Sequence, residues 1–129
     1  MLRFSLFCII SILFSSCNND NTENLSKNAL IKSFTIHEQL YNDISFSIDQ
    51  VNGFIFNQDS LPFGSITKDI RCIISTIDKV SSIKLVGENE LITRSTLFDF
   101  TEPVHILVTA EDGKTTKTYQ IKLNVKKIH

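Results

Sequence analysis

Val104-His-Ile-Leu-Val-Thr-Ala110, Glu111-Asp-Gly-Lys114 and Thr115-Thr-Lys-Thr-Tyr119-Gln-Ile-Lys-Leu-Asn-Val125 read as strand, turn and strand. Val104, Ile106, Val108 and Ala110 share one face. Tyr119, Ile121, Leu123 and Val125 alternate with Gln120, Lys122 and Asn124. A period of two belongs to a strand with one buried face, and Asp112-Gly113 supplies the reversal. This hairpin sets the fold class.

Working back from it, the same period recurs. Ile44, Phe46 and Ile48 share a face, with Ser45, Ser47 and Asp49 on the other. Asn52-Gly53 predicts a tight hairpin, because both central positions favour positive φ, with Phe54-Ile-Phe56 as a short return strand. Ile70–Ile77, Ile83–Val86 and Leu97–Phe100 are further strand candidates, and Leu30–Ile36 opens the set with Phe34 and Ile36 inward. Ile70–Val80 also admits a helical spacing, but its β-branched richness favours a strand. About seven short strands and no convincing helix predict an all-β, immunoglobulin-like antiparallel β-sandwich. With no Trp, its core must rest on Phe, Ile, Leu and Val.

The chain has 129 residues, 42% of them hydrophobic, which fits one domain and excludes a multidomain enzyme. Thirteen basic against 14 acidic side chains argue against a protein that binds nucleic acid through phosphate contacts. Four Gly and two Pro exclude collagen-like and linker-like chains.

Arg3, the apolar run Phe4–Phe14 and the small pair Ser15-Ser16 have the three-part layout of a secretory signal peptide. Eleven helical residues span roughly 16 Å, too short for a hydrocarbon core of about 30 Å. Phe14-Ser-Ser-Cys17 resembles a bacterial lipobox, with Phe14 where that family carries Leu or another aliphatic residue. The resemblance implies acylation of Cys17, and two or three acyl chains satisfy the requirement for stable anchoring. Asn18–Asn28 has one apolar residue in eleven and reads as a flexible tether. Its two acids, Asp20 and Glu23, are similar to a surface-export signal of Bacteroidota lipoproteins. The expected organisation is 1–16 signal peptide, 17–28 acylated Cys and tether, and 29–129 sandwich domain.

Phe46–Gly64, together with Phe100–Tyr119, resembles the N-terminal domain of a Bacteroidota lipoprotein family of unknown function. The likeness spans most of residues 29–126. In longer relatives a kelch-like propeller follows, whereas this sequence stops at His129. The family brings no catalytic residues to transfer.

The chemistry-bearing residues are sparse. With Cys8 in the leader and Cys17 acylated, Cys72 is the lone mature thiol and reads as a small buried hydrophobe. His37, His105 and His129 lack metal-ligand spacing, and there is no glycine-rich phosphate loop or nucleophile elbow. No metal, cofactor or enzymatic activity is therefore expected. The long stretch Asn57–Asp69 places Phe63 after Pro62 as a candidate aromatic contact; the plainer reading has Leu61 and Phe63 folding back to close the sandwich. Tyr41, in the loop before the second strand, is the other candidate binding residue, since Tyr119 alternates inward. Lys114, Lys117, Lys122, Lys126 and Lys127 read as the solvated face of an edge strand. The expected function is a non-catalytic, lipid-anchored module of the outer membrane with a protein or glycan partner. The alternatives are an accessory glycan-binding lipoprotein and a truncated remnant of a longer one.

Overall fold

The computed structural model describes residues 24–41 and 43–128, and these are all-β. The strands are β1 (Ile31–Ile36), β2 (Phe46–Asp49), β3 (Phe54–Asn57), β4 (Cys72–Thr76), β5 (Val80–Leu85), β6 (Val104–Ala110) and β7 (Thr116–Lys122), with one 3₁₀ turn at Gln39–Tyr41. They form a two-stranded sheet, β1-β4, and a five-stranded sheet, β2-β3-β7-β6-β5. The core lies where both sheets turn their apolar faces inward: Ile31, Phe34, Ile36 and Cys72 from the first, Ile55, Ile106, Val108, Tyr119 and Ile121 from the second. Burying a side chain of this size contributes about 1.5–3 kcal/mol.

The β6–β7 hairpin follows its alternation. Ile106, Val108 and Ala110 are buried beside Tyr119 and Ile121, while Thr118, Gln120 and Lys122 take the other face. β1 buries Phe34 and Ile36 as expected, and Ile70–Ile77 contains strand β4.

Four expectations need correction. The sandwich is not wholly antiparallel: β3 runs parallel to β7, with Phe54 opposite Gln120 and Phe56 opposite Lys122. This pairing sets Ile55 beside Ile121 in the core, and it makes β7 a central strand, so Lys122 is not on an edge. The β2–β3 reversal is a four-residue loop, Gln50–Gly53, in which only Gly53 has positive φ (72°). The Asp49 carboxylate captures the N–H groups of Val51 (3.0 Å) and Asn52 (3.1 Å), and Gly53 N–H returns to Asp49 O (2.8 Å). A Cβ on Gly53 would lie 2.6 Å from Thr118 O, so the close approach to β7 also demands glycine. Leu97–Phe100 is not a strand; it makes a single bridge, Ile70 to Phe98, and buries Phe98 and Phe100 as a stacked pair.

The leader, Cys17 and residues 18–23 of the expected tether lie outside the described residues. Ser26 is already fastened to the domain, through its N–H to Glu111 Oε1 (3.0 Å) and its carbonyl to Asp112 N–H (3.0 Å).

A buried polar clasp joins the two sheets. The Tyr119 hydroxyl accepts from Ile31 N–H (3.0 Å) and donates to Gln50 Oε1 (2.6 Å), while Gln50 Nε2 donates to Ile31 O (2.6 Å). Tyr119→Phe leaves the Ile31 N–H without its partner in a buried setting. It is expected to cost about 1–3 kcal/mol, read as a lower urea midpoint at unchanged slope. An unchanged midpoint would show that the clasp adds nothing.

The turns carry an acid-sensitive term. Asp112 is held below the ordinary carboxylate range by hydrogen bonds from Thr115 N–H, Lys114 N–H and the Thr115 hydroxyl. Asn52 donors do the same for Asp49. A carboxylate with a depressed folded pKa stabilises above its unfolded value, and that contribution disappears as pH falls through the folded value. Urea midpoints should therefore fall as pH drops below about 4, and the fall should be shallower in Asp112→Asn.

Candidate functional site

The 3₁₀ turn after β1 is set by charge and backbone together. Glu38 accepts from Arg71 N–H (3.1 Å) and from Arg71 Nε (3.0 Å), and Tyr41 N–H returns to Glu38 O (2.9 Å). The guanidinium holds the exposed Glu38 carboxyl below its usual range. This turn carries Tyr41 to the end of the sandwich, where its hydroxyl donates to Ile66 O (3.1 Å) in the long 57–69 connection.

Asn57 organises the start of that connection. Its side chain is 1% exposed and fully satisfied: Nδ2 donates to Asp59 O (2.8 Å) and Asn124 O (2.9 Å), and Oδ1 accepts from Asn124 N–H (2.6 Å). Leu61 is then drawn into a parallel bridge with Val125 and buried. Between Tyr41 and this strap lies an open cleft of about 500 Å³. Its apolar wall is Ile44, Leu61 and Pro62, and its polar rim includes Asp43, Asp59 and Ser60.

The two expected binding residues are not brought into one site. Tyr41, half-buried, lines the cleft. Phe63 stands outside it, 62% exposed, at the tip of a Pro62–Ser65 turn that Gly64 permits with φ of 84°. The fold-back reading therefore holds for Leu61 and fails for Phe63. Sequence reasoning missed Phe54 and Phe56, which project from the outer face of the five-stranded sheet at 44% and 37% exposure. The signal was present in the alternation: Ile55 and Asn57 are the inward pair, so their neighbours face out. Gln120 and Lys122 lie opposite them on β7.

The nucleophile and metal chemistry is equally plain. Burial pushes the Cys72 thiol up to about 12, with a further upward push from the Glu38 charge, so it stays protonated near neutral pH. His37 and His105 are exposed, and the described residues hold no cluster of three His, Cys, Asp or Glu side chains arranged as metal ligands.

Residues 15–123 match a family model described as "Domain of unknown function (DUF6242) N-terminal domain". The chain belongs to this family. No curated protein matches it. The matched span contains β1 through β7 and the whole Tyr41 cleft, so the arrangement above sits inside the family's domain.

Cys72 is expected to resist iodoacetamide in the folded protein at pH 8 and to react fully in urea, followed by mass spectrometry of its peptide. Rapid labelling without denaturant would show that the edge beside it opens far more readily than this packing permits.

Proposed function

We propose that the protein is a non-catalytic lipoprotein of the cell envelope, anchored in the outer membrane through Cys17 and presenting one immunoglobulin-like domain to a partner. The observation that carries this reading is the polarity of the domain. Ser26 is fastened to the β6–β7 turn at one pole, nine residues after Cys17. The Tyr41 cleft, Phe63 and the strap at Val125 gather where β1, β3 and β7 end, at the opposite pole. A seven-residue strand such as β6 separates the poles by about 23 Å. An acylated Cys17 would then join the domain at the pole opposite the cleft.

Two further facts support the reading. The family match begins at Ser15, two residues before Cys17, and leaves out the charged and apolar parts of the signal-peptide layout, Met1–Phe14. The order β5-β6-β7, facing β4 and its Phe98 bridge, is that of strands C, F and G facing B and E in immunoglobulin domains. A second reading, an accessory glycan binder, is favoured by Phe54 and Phe56 beside Gln120 and Lys122. Aromatic faces flanked by hydrogen-bonding groups suit sugar rings.

Membrane fractionation of the wild type and Cys17→Ala, with protease added to intact cells, tests the anchor. The wild type is expected in the membrane fraction and the variant in the soluble one; equal membrane retention refutes the lipid anchor. Digestion on intact cells would place the domain outside, and protection until the outer membrane is opened would place it in the periplasm. Binding to cell-surface polysaccharide that is lost in Phe54→Ala/Phe56→Ala would select the second reading.

A further inference from the structure

The two-stranded sheet has two edges, and the chain meets each of them at one end. At β1 the outer edge is occupied at Ile31, whose N–H and carbonyl both bond to the Tyr119–Gln50 clasp. The five-stranded sheet covers its β5 edge in a similar way, with Ile92 N–H on Ile83 O (2.8 Å) and a bridge from Lys84 to Leu91. Among the described residues the β4 edge has only the beginning of a partner.

Hydrogen bonds at its start fix which groups face outward. Arg71 O accepts from His37 N–H (2.8 Å), on the β1 side. Ile70 exchanges both backbone bonds with Phe98 (3.0 and 2.8 Å), on the other side. Successive residues of a strand alternate between sides, so Cys72 and Ile74 direct their N–H and carbonyl groups to the side of Phe98. The chain does not stay to meet them. Thr93 N–H bonds to Thr96 Oγ1 (2.9 Å) and Thr96 N–H to Thr93 O (3.2 Å), and this turn carries Ile92 across to β5. What remains is a groove of about 170 Å³ along β4, lined by Ile74, Ile83, Ile92 and Arg94 among others.

Nothing in β4 guards this edge. Its sequence, Cys-Ile-Ile-Ser-Thr, has no charge and no Pro, and the sheet's register shift falls at Ile31/Ser33 on β1. Natural edges that are meant to stay single are blunted by just those devices. Unpaired strand groups beside apolar walls suit an added strand with an apolar side chain at every second position. The charge selects its source. Arg94 is exposed, and among the described residues it has no ion-pair partner. A carboxylate on a foreign strand would neutralise Arg94, and the uncharged β4 of a second copy carries none.

We propose that the open edge of β4 is a strand-addition site for an extended peptide of a partner protein, with apolar residues at alternate positions and a carboxylate that meets Arg94. The site is separate from the Tyr41 cleft and does not depend on the anchor.

Backbone amide hydrogen exchange of the protein, followed by NMR, reads the edge directly. Without peptide, the amides of Ile73 and Ser75, which face β1, are expected to exchange at least about tenfold more slowly than those of Cys72 and Ile74. A synthetic peptide Val-Thr-Val-Thr-Val-Asp is expected to protect Cys72 and Ile74, and the same peptide with its central Val replaced by Pro is not. Ile74→Pro removes an outward N–H and should abolish this protection. Arg94→Glu should weaken the Asp-ended peptide by roughly fivefold or more and favour a Lys-ended one. If Ile74→Pro fails to fold, the Arg94→Glu exchange of preference decides alone. Protection of Cys72 and Ile74 in the peptide-free monomer would overturn the proposal, because the edge would already be covered. Protection that grows with protein concentration alongside a dimer in sedimentation would overturn it in favour of a second copy. Failure of both peptides to protect, or indifference to the charge at Arg94, would also refute it.

Discussion

The hydroxyl of Tyr119 is the point at which two dissimilar sheets are fixed to each other. A two-stranded sheet has little stability of its own, and β1-β4 depends on packing against the larger sheet for its existence. Apolar packing alone is non-directional and tolerates sliding. The clasp of Tyr119, Gln50 and the Ile31 backbone removes that freedom, because all its donors and acceptors match in one position only. Burial raises the Tyr119 pKa, which keeps the hydroxyl in the form that can donate to Gln50. Asn57 plays the corresponding part at the other pole, where its amide stands in for a strand partner and fastens the 57–69 connection to the C-terminal segment. Both poles are thus pinned by a satisfied polar side chain.

Much of this was legible in the residues. Alternation located β1, β4, β6 and β7 and identified Phe34, Ile36, Ile106, Val108, Tyr119 and Ile121 as core, because a strand with one wet face must alternate. Pairing partners were not legible. Nothing in Phe54–Asn57 announces that it lies parallel to β7, since a parallel and an antiparallel neighbour ask the same of the side chains facing the core. Asn52-Gly53 misled for a local reason: the preceding Asp49 has a carboxylate within reach of the loop N–H groups, and it winds a four-residue loop in place of a two-residue turn. Leu97–Phe100 carries a strand-like pattern and buries its two Phe rings without forming a ladder, which shows that burial and strand pairing are separate requirements.

The candidate site was half legible for a related reason. Tyr41 and Phe63 were singled out because aromatic residues in loops invite a binding role, yet only Tyr41 is held in the cleft, by its bond to Ile66 O. The acids that rim the cleft, Asp43 and Asp59, are separated by the β2–β3 hairpin and meet only through the fold. Phe54 and Phe56 were passed over because hydrophobic residues in a strand are first assigned to the core, and only the inward commitment of Ile55 and Asn57 settles their direction.

The protein's surface chemistry then follows from what its interior withholds. Its one described thiol is buried and protonated, its two described histidines are solvated, and its depressed carboxylates serve turns or an ion pair. The thiol and these carboxylates are engaged within the fold. Backbone bonding is what the β4 edge offers, and the missing length of strand there is the counterpart of the chain's economy elsewhere. With residues 91–92 bonded to the β5 edge, the connection between β5 and β6 meets the β4 side, among the described residues, in one backbone bridge, Ile70 to Phe98, just before β4 begins. An edge left open by connectivity, flanked by apolar side chains and one unpaired guanidinium, has a chemical preference that the covered edge of β5 lacks.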